Sequence, residues 1–184
     1  MPHIHTAKDH HDLTVTAYIV RTDGSEPKAL LHMHKKLQVL LPIGGHVETS
    51  ETPWQAIAHE LAEESGYKLD QLTLLQPKSR IKKMTKVVQH PYPLAMNTHS
   101  IPENHFHTDI EYGFITDSDP VVAIEEGESL DLRWISSDEL NELSSKLIMD
   151  NTREVYRFIF DEALPNWDKV PTSKYLLTFP EHYR

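Results

Sequence analysis

Gly44-Gly45-His46-Val47-Glu48-Thr49-Ser50-Glu51-Thr52-Pro53-Trp54-Gln55-Ala56-Ile57-Ala58-His59-Glu60-Leu61-Ala62-Glu63-Glu64-Ser65-Gly66-Tyr67 is the stretch on which the reading of this chain turns. The glycine pair admits backbone angles and close approaches that other residues resist. Thr52 can cap a helix, Pro53 suits its first position, and Gln55 completes a Thr-x-x-Gln capping box, so a helix is predicted over residues 52–65 with Gly66 as its stop. Trp54, Ile57, Ala58 and Leu61 form the stripe such a helix would bury. Glu48, Glu51, Glu60, Glu63 and Glu64 fall within this span, and no lysine or arginine does. On a helix Glu60, Glu63 and Glu64 stand at i, i+3 and i+4 and share a face, where their repulsion costs stability unless a cation binds. Hard divalent ions take oxygen ligands, and Mg²⁺ prefers a few carboxylates with waters and phosphates, so a Mg²⁺ or Mn²⁺ site is the direct reading. The bland reading of a lone Glu-x-x-Glu-Glu is a solvated acidic face.

Outward from this stretch the patterns are mixed. Residues 13–20 alternate as a strand before the Asp23-Gly24 turn signal, residues 29–33 read as a second strand, and residues 38–41 as a third stopped by Pro42. Strand-like segments follow at 72–75, 106–116 and 130–135. Helices are signalled at 138–149 by Leu140, Leu143 and Leu147, and at 153–163 by Val155, Phe158 and Ile159. The three prolines between Pro91 and Pro102 predict a long loop, and the tail from Pro165, with Pro171 and Pro180, an irregular extension packed on the domain. The class is α/β without the regular βαβ alternation of a doubly wound sheet. The expected organisation is a polar leader over residues 1–12, one domain over 13–150, and a C-terminal helix with its extension over 151–184.

With 184 residues, one domain with terminal extensions is expected. Acidic residues number 28 against 18 basic, a net charge of −10, which argues against a general nucleic-acid or anionic-membrane partner. The absence of cysteine excludes disulfides, thiolate-held metals and cysteine nucleophiles, and favours a cytoplasmic setting. No run approaches the about eighteen apolar residues of a membrane helix, and the start lacks a secretory pattern.

Written as Gly45-x5-Glu51-x7-His59-Glu60-Leu61-x-Glu63-Glu64-x-Gly66-Tyr67, the stretch resembles the signature of the Nudix hydrolases, Gly-x5-Glu-x7-Arg-Glu-U-x-Glu-Glu-x-Gly-U, with U a bulky apolar residue. Eight of nine fixed positions match, His59 standing where the family has arginine. With glycine and glutamate each near about 7 % of residues, six strict matches arise by chance on the order of 10⁻⁷ per window. The resemblance implies a Nudix-type α/β/α sandwich with a mixed central sheet, hydrolysing a nucleoside diphosphate linked to another moiety X. By position it makes Glu60, Glu63 and Glu64 ligands of Mg²⁺ or Mn²⁺, the Gly44 carbonyl a further ligand, and Glu51 a charge that orients the set. A general base in some relatives is a glutamate six residues ahead of a late tryptophan, which here is Glu128 before Trp134; Glu125 and Glu126 are neighbours, and Glu63 or Glu64 could act instead. Histidine is shorter than arginine and lacks its planar fork of donors, so His59 is expected to orient Glu51 or a ligand through one hydrogen bond. The alternative function is a catalytically weak Nudix-fold module that senses a nucleotide. Many members pair, so a homodimer is a further expectation.

Two other patterns carry charge. Lys78, Arg80, Lys82, Lys83 and Lys86 crowd nine residues, and alternation would put Lys78, Arg80 and Lys82 on one strand face, where Arg80 and Lys82 could hold substrate phosphates or simply form a solvated edge. His105, His107, Asp109 and Glu111 share the other strand face from Phe106, Ile110 and Tyr112. That polar face is expected to point either at the substrate, with His105 and His107 as contacts, or into solvent. His-x-His-x3-Glu is also similar to the first metal motif of cupins, though the flanking glycines and the second motif are missing.

Overall fold

The computed structural model describes residues 11–102 and 105–179. The architecture is the expected one: a mixed sheet between helical layers. The strands are β1 (His11–Arg21), β2 (Lys28–Met33), β3 (Leu40–Leu41), β4 (Ile43–His46), β5 (Thr73–Gln76), β6 (Ala95–Ile101), β7 (His105–Thr116), β8 (Leu132–Ser136) and β9 (Asp168–Pro171). The helices are α1 (Pro53–Glu60), which runs on into a π-helical turn at Leu61–Ser65, α2 (Ser137–Glu142) and α3 (Asp150–Phe158), which continues through a second wide turn.

β1 is the spine. One of its edges pairs in parallel with β7 from His11↔Phe106 to Arg21↔Thr116. Its other edge is divided: Thr14–Ala17 pair with His46–Ile43 of β4, whereas Val20 and Arg21 pair with Ala29 and Lys28 of β2. β7 divides in the same way, bonding β6 along its first half and β5 near its end. The sheet therefore forks, and the Gly44-Gly45 pair sits on the prong where β4 replaces β2.

Alternation along β1 feeds two cores. Val15, Ala17 and Ile19 join Trp54, Ile57 and Leu61 of the α1 segment with Tyr112 and Phe114, and Tyr18 and Val20 join Leu140 of α2 and Tyr156 of α3. Trp54 is fully buried, with ring centroids 5.6 Å from Tyr112, 6.3 Å from Phe114 and 6.0 Å from Tyr175, and its indole N–H donates to the Tyr175 carbonyl at 3.4 Å. The Thr52–Gln55 capping box forms as predicted, and Gly66 ends the helical segment at φ 73.

Four sequence expectations need correction. Residues 91–102 are not one long loop: residues 95–101 are β6, an exposed hairpin partner of β7 whose polar sequence carries no alternation to betray it. The irregular stretch is residues 77–94 instead, so Lys78, Arg80 and Lys82 share no strand face. The helix expected over 138–149 stops at Glu142, because Ser144 diverts the backbone: its hydroxyl accepts from Lys146 N–H and its carbonyl from Leu147 N–H. The tail is not wholly irregular, since Asp168–Pro171 add a strand to β5. Residues 1–10 of the polar leader and Pro180 lie outside the described residues; His11 and Asp12 belong to β1.

Because Trp54 fills the space between α1 and the sheet, Trp54→Ala is expected to cost about 3–5 kcal/mol in urea unfolding with an unchanged m-value.

Candidate active site

The four glutamates of the Gly45–Tyr67 signature box lie at the fork, where Glu51, Glu63 and Glu64 are all in electrostatic reach of Glu60. Gly44 N–H donates to Glu64 Oε2 at 3.0 Å, fixing the end of the helical segment to β4. A Cβ on Gly45 would strike the Glu60 carboxylate, so Gly45 lets the helical segment close on β4, while one on Gly44 would strike the Val15 carbonyl, so Gly44 lets β4 lie close on β1. The π-helical turn at Leu61–Ser65 adds room in the register between Glu60 and Glu64, a device found often at functional sites. The loop after β7 is tied to the same corner: Val121 and Val122 N–H donate to the Gly66 carbonyl, and Glu125 N–H to the Glu63 carbonyl at 2.9 Å.

Glu60 and Glu64 are buried, 5 % and 9 % exposed. Burial pushes the Glu60 carboxyl up to about 7, with His59 opposing and Glu63, Glu128 and Glu51 adding to it. Glu64 is pushed up to about 8 by burial, against the Gly44 N–H and with Glu60, Glu128 and Glu63 behind it. Glu128 thus faces the same acids as the box does. Glu125, hydrogen-bonded to Glu63, is also raised.

His59 Nε2 lies 2.6 Å from Glu63 Oε1, and Nδ1 lies 3.9 Å from Glu51 Oε2. The one short bond expected of this histidine goes to Glu63; Glu51 is held instead by Glu48 N–H, which donates to its Oε1 at 3.0 Å. An oxygen-rich, largely buried set whose nearby imidazoles are its only counter-groups in ion-pair reach among the described residues suits a hard divalent cation. Glu60, Glu63 and Glu64 are the residues that would hold it.

Sequence reasoning missed His32. It is 3 % exposed on β2, its Nδ1 has no hydrogen-bond partner among the described residues and sits 3.9 Å from Glu64 Oε2, and burial lowers its pKa to about 4. The signal was a histidine at the buried phase of an apolar strand, next to the box.

The remaining candidates lie apart. Arg80 donates to Asp168 Oδ2 and to the Pro77 carbonyl, so its guanidinium fastens the 77–94 segment to β9. Lys82 joins Arg80, Lys174 and Tyr175 around a cavity of about 250 Å³. His105 and His107 gather with Asp12 and His46 at the opening end of β7. Asp109 accepts from Thr14 and Thr16, and Glu111 from Asn97, so the polar face of β7 is buried under hydrogen bonds rather than solvated.

The NUDIX domain model matches residues 10–157, and with this fold and this site the chain belongs to the Nudix hydrolase family, a class of pyrophosphohydrolases whose members generally use a divalent metal. A Nudix-family hydrolase from Clostridium perfringens is 30 % identical, with a TM-score of 0.64 over 80 % of this chain and 97 % of its own. An Ap4A hydrolase from C. elegans superposes with a TM-score of 0.60 at 15 % identity, covering 79 % and 93 % of the two chains. The Nudix domain of Shewanella oneidensis NrtR, solved with ADP ribose, gives 0.57 at 17 % identity, covering 80 % and 87 %. No curated protein sequence matches. Membership in this family replaces the cupin-like reading of His105 and His107.

The folded pair Glu60 and Glu64 keeps protons up to about 7 and about 8, while the unfolded chain releases them near the ordinary carboxylate value of 4.5. The folded state binds more protons in that window, so stability falls as pH rises through it. In chelator, the unfolding temperature is expected to drop between about pH 5 and pH 8, and Glu64→Gln to flatten the slope; a flat wild-type profile by calorimetry contradicts the assignment.

Proposed function

We propose that this protein hydrolyses a phosphoric anhydride bond in a nucleoside diphosphate linked to another moiety X, with Mg²⁺ or Mn²⁺ held by Glu60, Glu63, Glu64 and the Gly44 carbonyl. The observation that carries this reading is the burial of Glu60 and Glu64 against the Gly44-Gly45 strand with their pKa values raised to about 7 and about 8. A surface acidic face would be solvated; a buried one costs stability that only a ligand returns. A divalent cation there supplies neutralisation of the diphosphate oxygens and acidifies water.

The chain's own residues supply the rest. His59 orients Glu63 through its 2.6 Å contact, and Glu51, fixed by the Glu48 amide, adds negative charge beside it. Glu128 accepts the proton of the attacking water from the loop tied to Gly66 and Glu63, a role supported by its electrostatic contact with both Glu60 and Glu64. Lys82 lines the cavity beside β9 and is the phosphate contact of a substrate long enough to reach it, while Arg80, held by Asp168, shapes the cavity wall. The retained carboxylates favour turnover over a sensing module, since binding alone gives no return for burying them. The reaction is placed in the cytoplasm, in keeping with a chain that has no cysteine.

Dinucleoside polyphosphates and ADP-ribose head the substrate panel, because one fold neighbour is an Ap4A hydrolase and another binds ADP ribose. Metal-dependent release of a nucleotide is expected from one class and none in chelator. Glu63→Gln or Glu64→Gln should lower kcat by about 100-fold or more, and Glu128→Gln by about 10²–10⁴-fold with little change in KM. Undiminished turnover in the Glu63 and Glu64 variants removes the site. Absence of turnover with every substrate, alongside ligand-induced thermal stabilisation, establishes the sensing module instead.

A further inference from the structure

At the opposite end of the forked sheet from the α3-covered core, a second set of ligating groups converges from neighbouring strands. His105 and His107 alternate on β7 and so point from one face, and Asp12 stands across from His107 on β1. One donor atom from each of Asp12, His105 and His107 lies within 4.8 Å of the other two. His105 Nε2 is 2.8 Å from Asp12 Oδ2, and His46 Nε2 of β4 is 3.6 Å from the same oxygen. The His107 ring packs edge-on to His46 at 4.9 Å and to His105 at 5.2 Å.

We propose that Asp12, His105 and His107, with His46 as fourth ligand, form a second metal site that takes Zn²⁺ or a neighbouring late first-row divalent ion. The donor set decides the class. Three imidazoles and one carboxylate are a borderline set that suits zinc-like ions and disfavours Mg²⁺, which seeks oxygen. Zinc ligands at about 2.0–2.2 Å from the ion stand about 3.3 Å from one another in a tetrahedron, so the Asp12, His105 and His107 donor atoms, all within 4.8 Å of one another, need shifts of only about 1 Å to reach it, and His46, 3.6 Å from Asp12 Oδ2, turns in to complete it.

Placement supports the reading further. Asp12 and His105 are buried, 6 % and 9 % exposed, on strands whose pairing fixes their backbone. Glu111, the last residue of the His-x-His-x3-Glu pattern, is not part of the set: its carboxylate accepts from Asn97 farther along the face. Four protein ligands make a closed site, which is structural rather than catalytic. It joins β4, β1 and β7, and His46 follows directly on Gly45, which packs against Glu60; the ion clamps the strand that positions the catalytic glutamates.

The test is titration of the metal-free full chain with Zn²⁺ by calorimetry in the presence of saturating Mg²⁺. One tight equivalent is expected, with a rise in the unfolding temperature. A His105→Ala/His107→Ala variant should bind about 100-fold more weakly, whereas Glu63→Gln/Glu64→Gln should retain the site. Loss of zinc binding in the glutamate variant but not in the histidine variant overturns the proposal. So does its loss in a variant with His3, His5 and His10 changed to Ala, since binding would then belong to the leader. Should the histidine pair fail to fold, X-ray absorption at the zinc edge of the wild-type protein decides: imidazole scattering, kept in the leader variant, supports the site, and an oxygen-only shell overturns it.

Discussion

Two buried carboxylates lean on a strand that has no side chains to keep them away. Glu60 lies where a Cβ of Gly45 would be, and Glu64 accepts the Gly44 amide proton. Everything else about the site follows from this close approach. It requires glycine at position 45, a helix entry fixed by the Thr52 cap and by Trp54 buried on the sheet, and a wide turn at Leu61–Ser65 that carries Glu63 and Glu64. It also carries an electrostatic cost, because like charges in a poorly hydrated place keep their protons well above the ordinary carboxylate range. The fold concentrates negative charge that a hard divalent cation is suited to offset.

The forked sheet is what makes room for that approach. Had β2 paired with β1 along its whole length, no prong would exist for β4, and the glycine pair would have no backbone ladder to hold it. β1 keeps its parallel edge on β7 throughout, so the fork opens on one side only. The same division leaves the beginning of β1 and β7 facing β4, which is why Asp12, His46, His105 and His107 come together although they are spread over nearly a hundred positions of the chain.

What the sequence disclosed was whatever depends on local spacing. The capping box, the stop at Gly66 and the Glu60, Glu63, Glu64 triplet are all relations within one helical segment and are found where their spacing put them, and so are Trp54, Ile57 and Leu61 of the stripe, though Ala56 rather than Ala58 completes it. Contributions that depend on partners far along the chain were not legible. β6 is a strand because β7 offers it a ladder, not because residues 95–101 alternate. Arg80 looked like a phosphate contact in a basic run, yet Asp168 from a distant strand now occupies its guanidinium. His32 carried no motif, and only the fold turns its ring toward Glu64. The prediction that Glu64→Gln flattens the pH profile rests on just such non-local burial.

His59 shows how a departure from a family pattern is absorbed. The arginine at this position in the family signature holds carboxylates through a planar fork, which serves two partners at once. An imidazole has two nitrogens on opposed edges of a small ring, and here only one of them makes a short contact, to Glu63 at 2.6 Å. Glu51, at 3.9 Å from the other nitrogen, is too far to be positioned by it. The Glu48 amide holds Glu51 in its place, through a turn that closes three residues upstream and does not involve residue 59 at all. The two tasks of one guanidinium are therefore divided between a side chain and the backbone. Orientation of the site survives the exchange, while the permanent positive charge does not. That loss leaves Glu60 with less opposing charge than an arginine would give it, so a divalent cation, when bound, would carry a larger share of what keeps the cluster ionised.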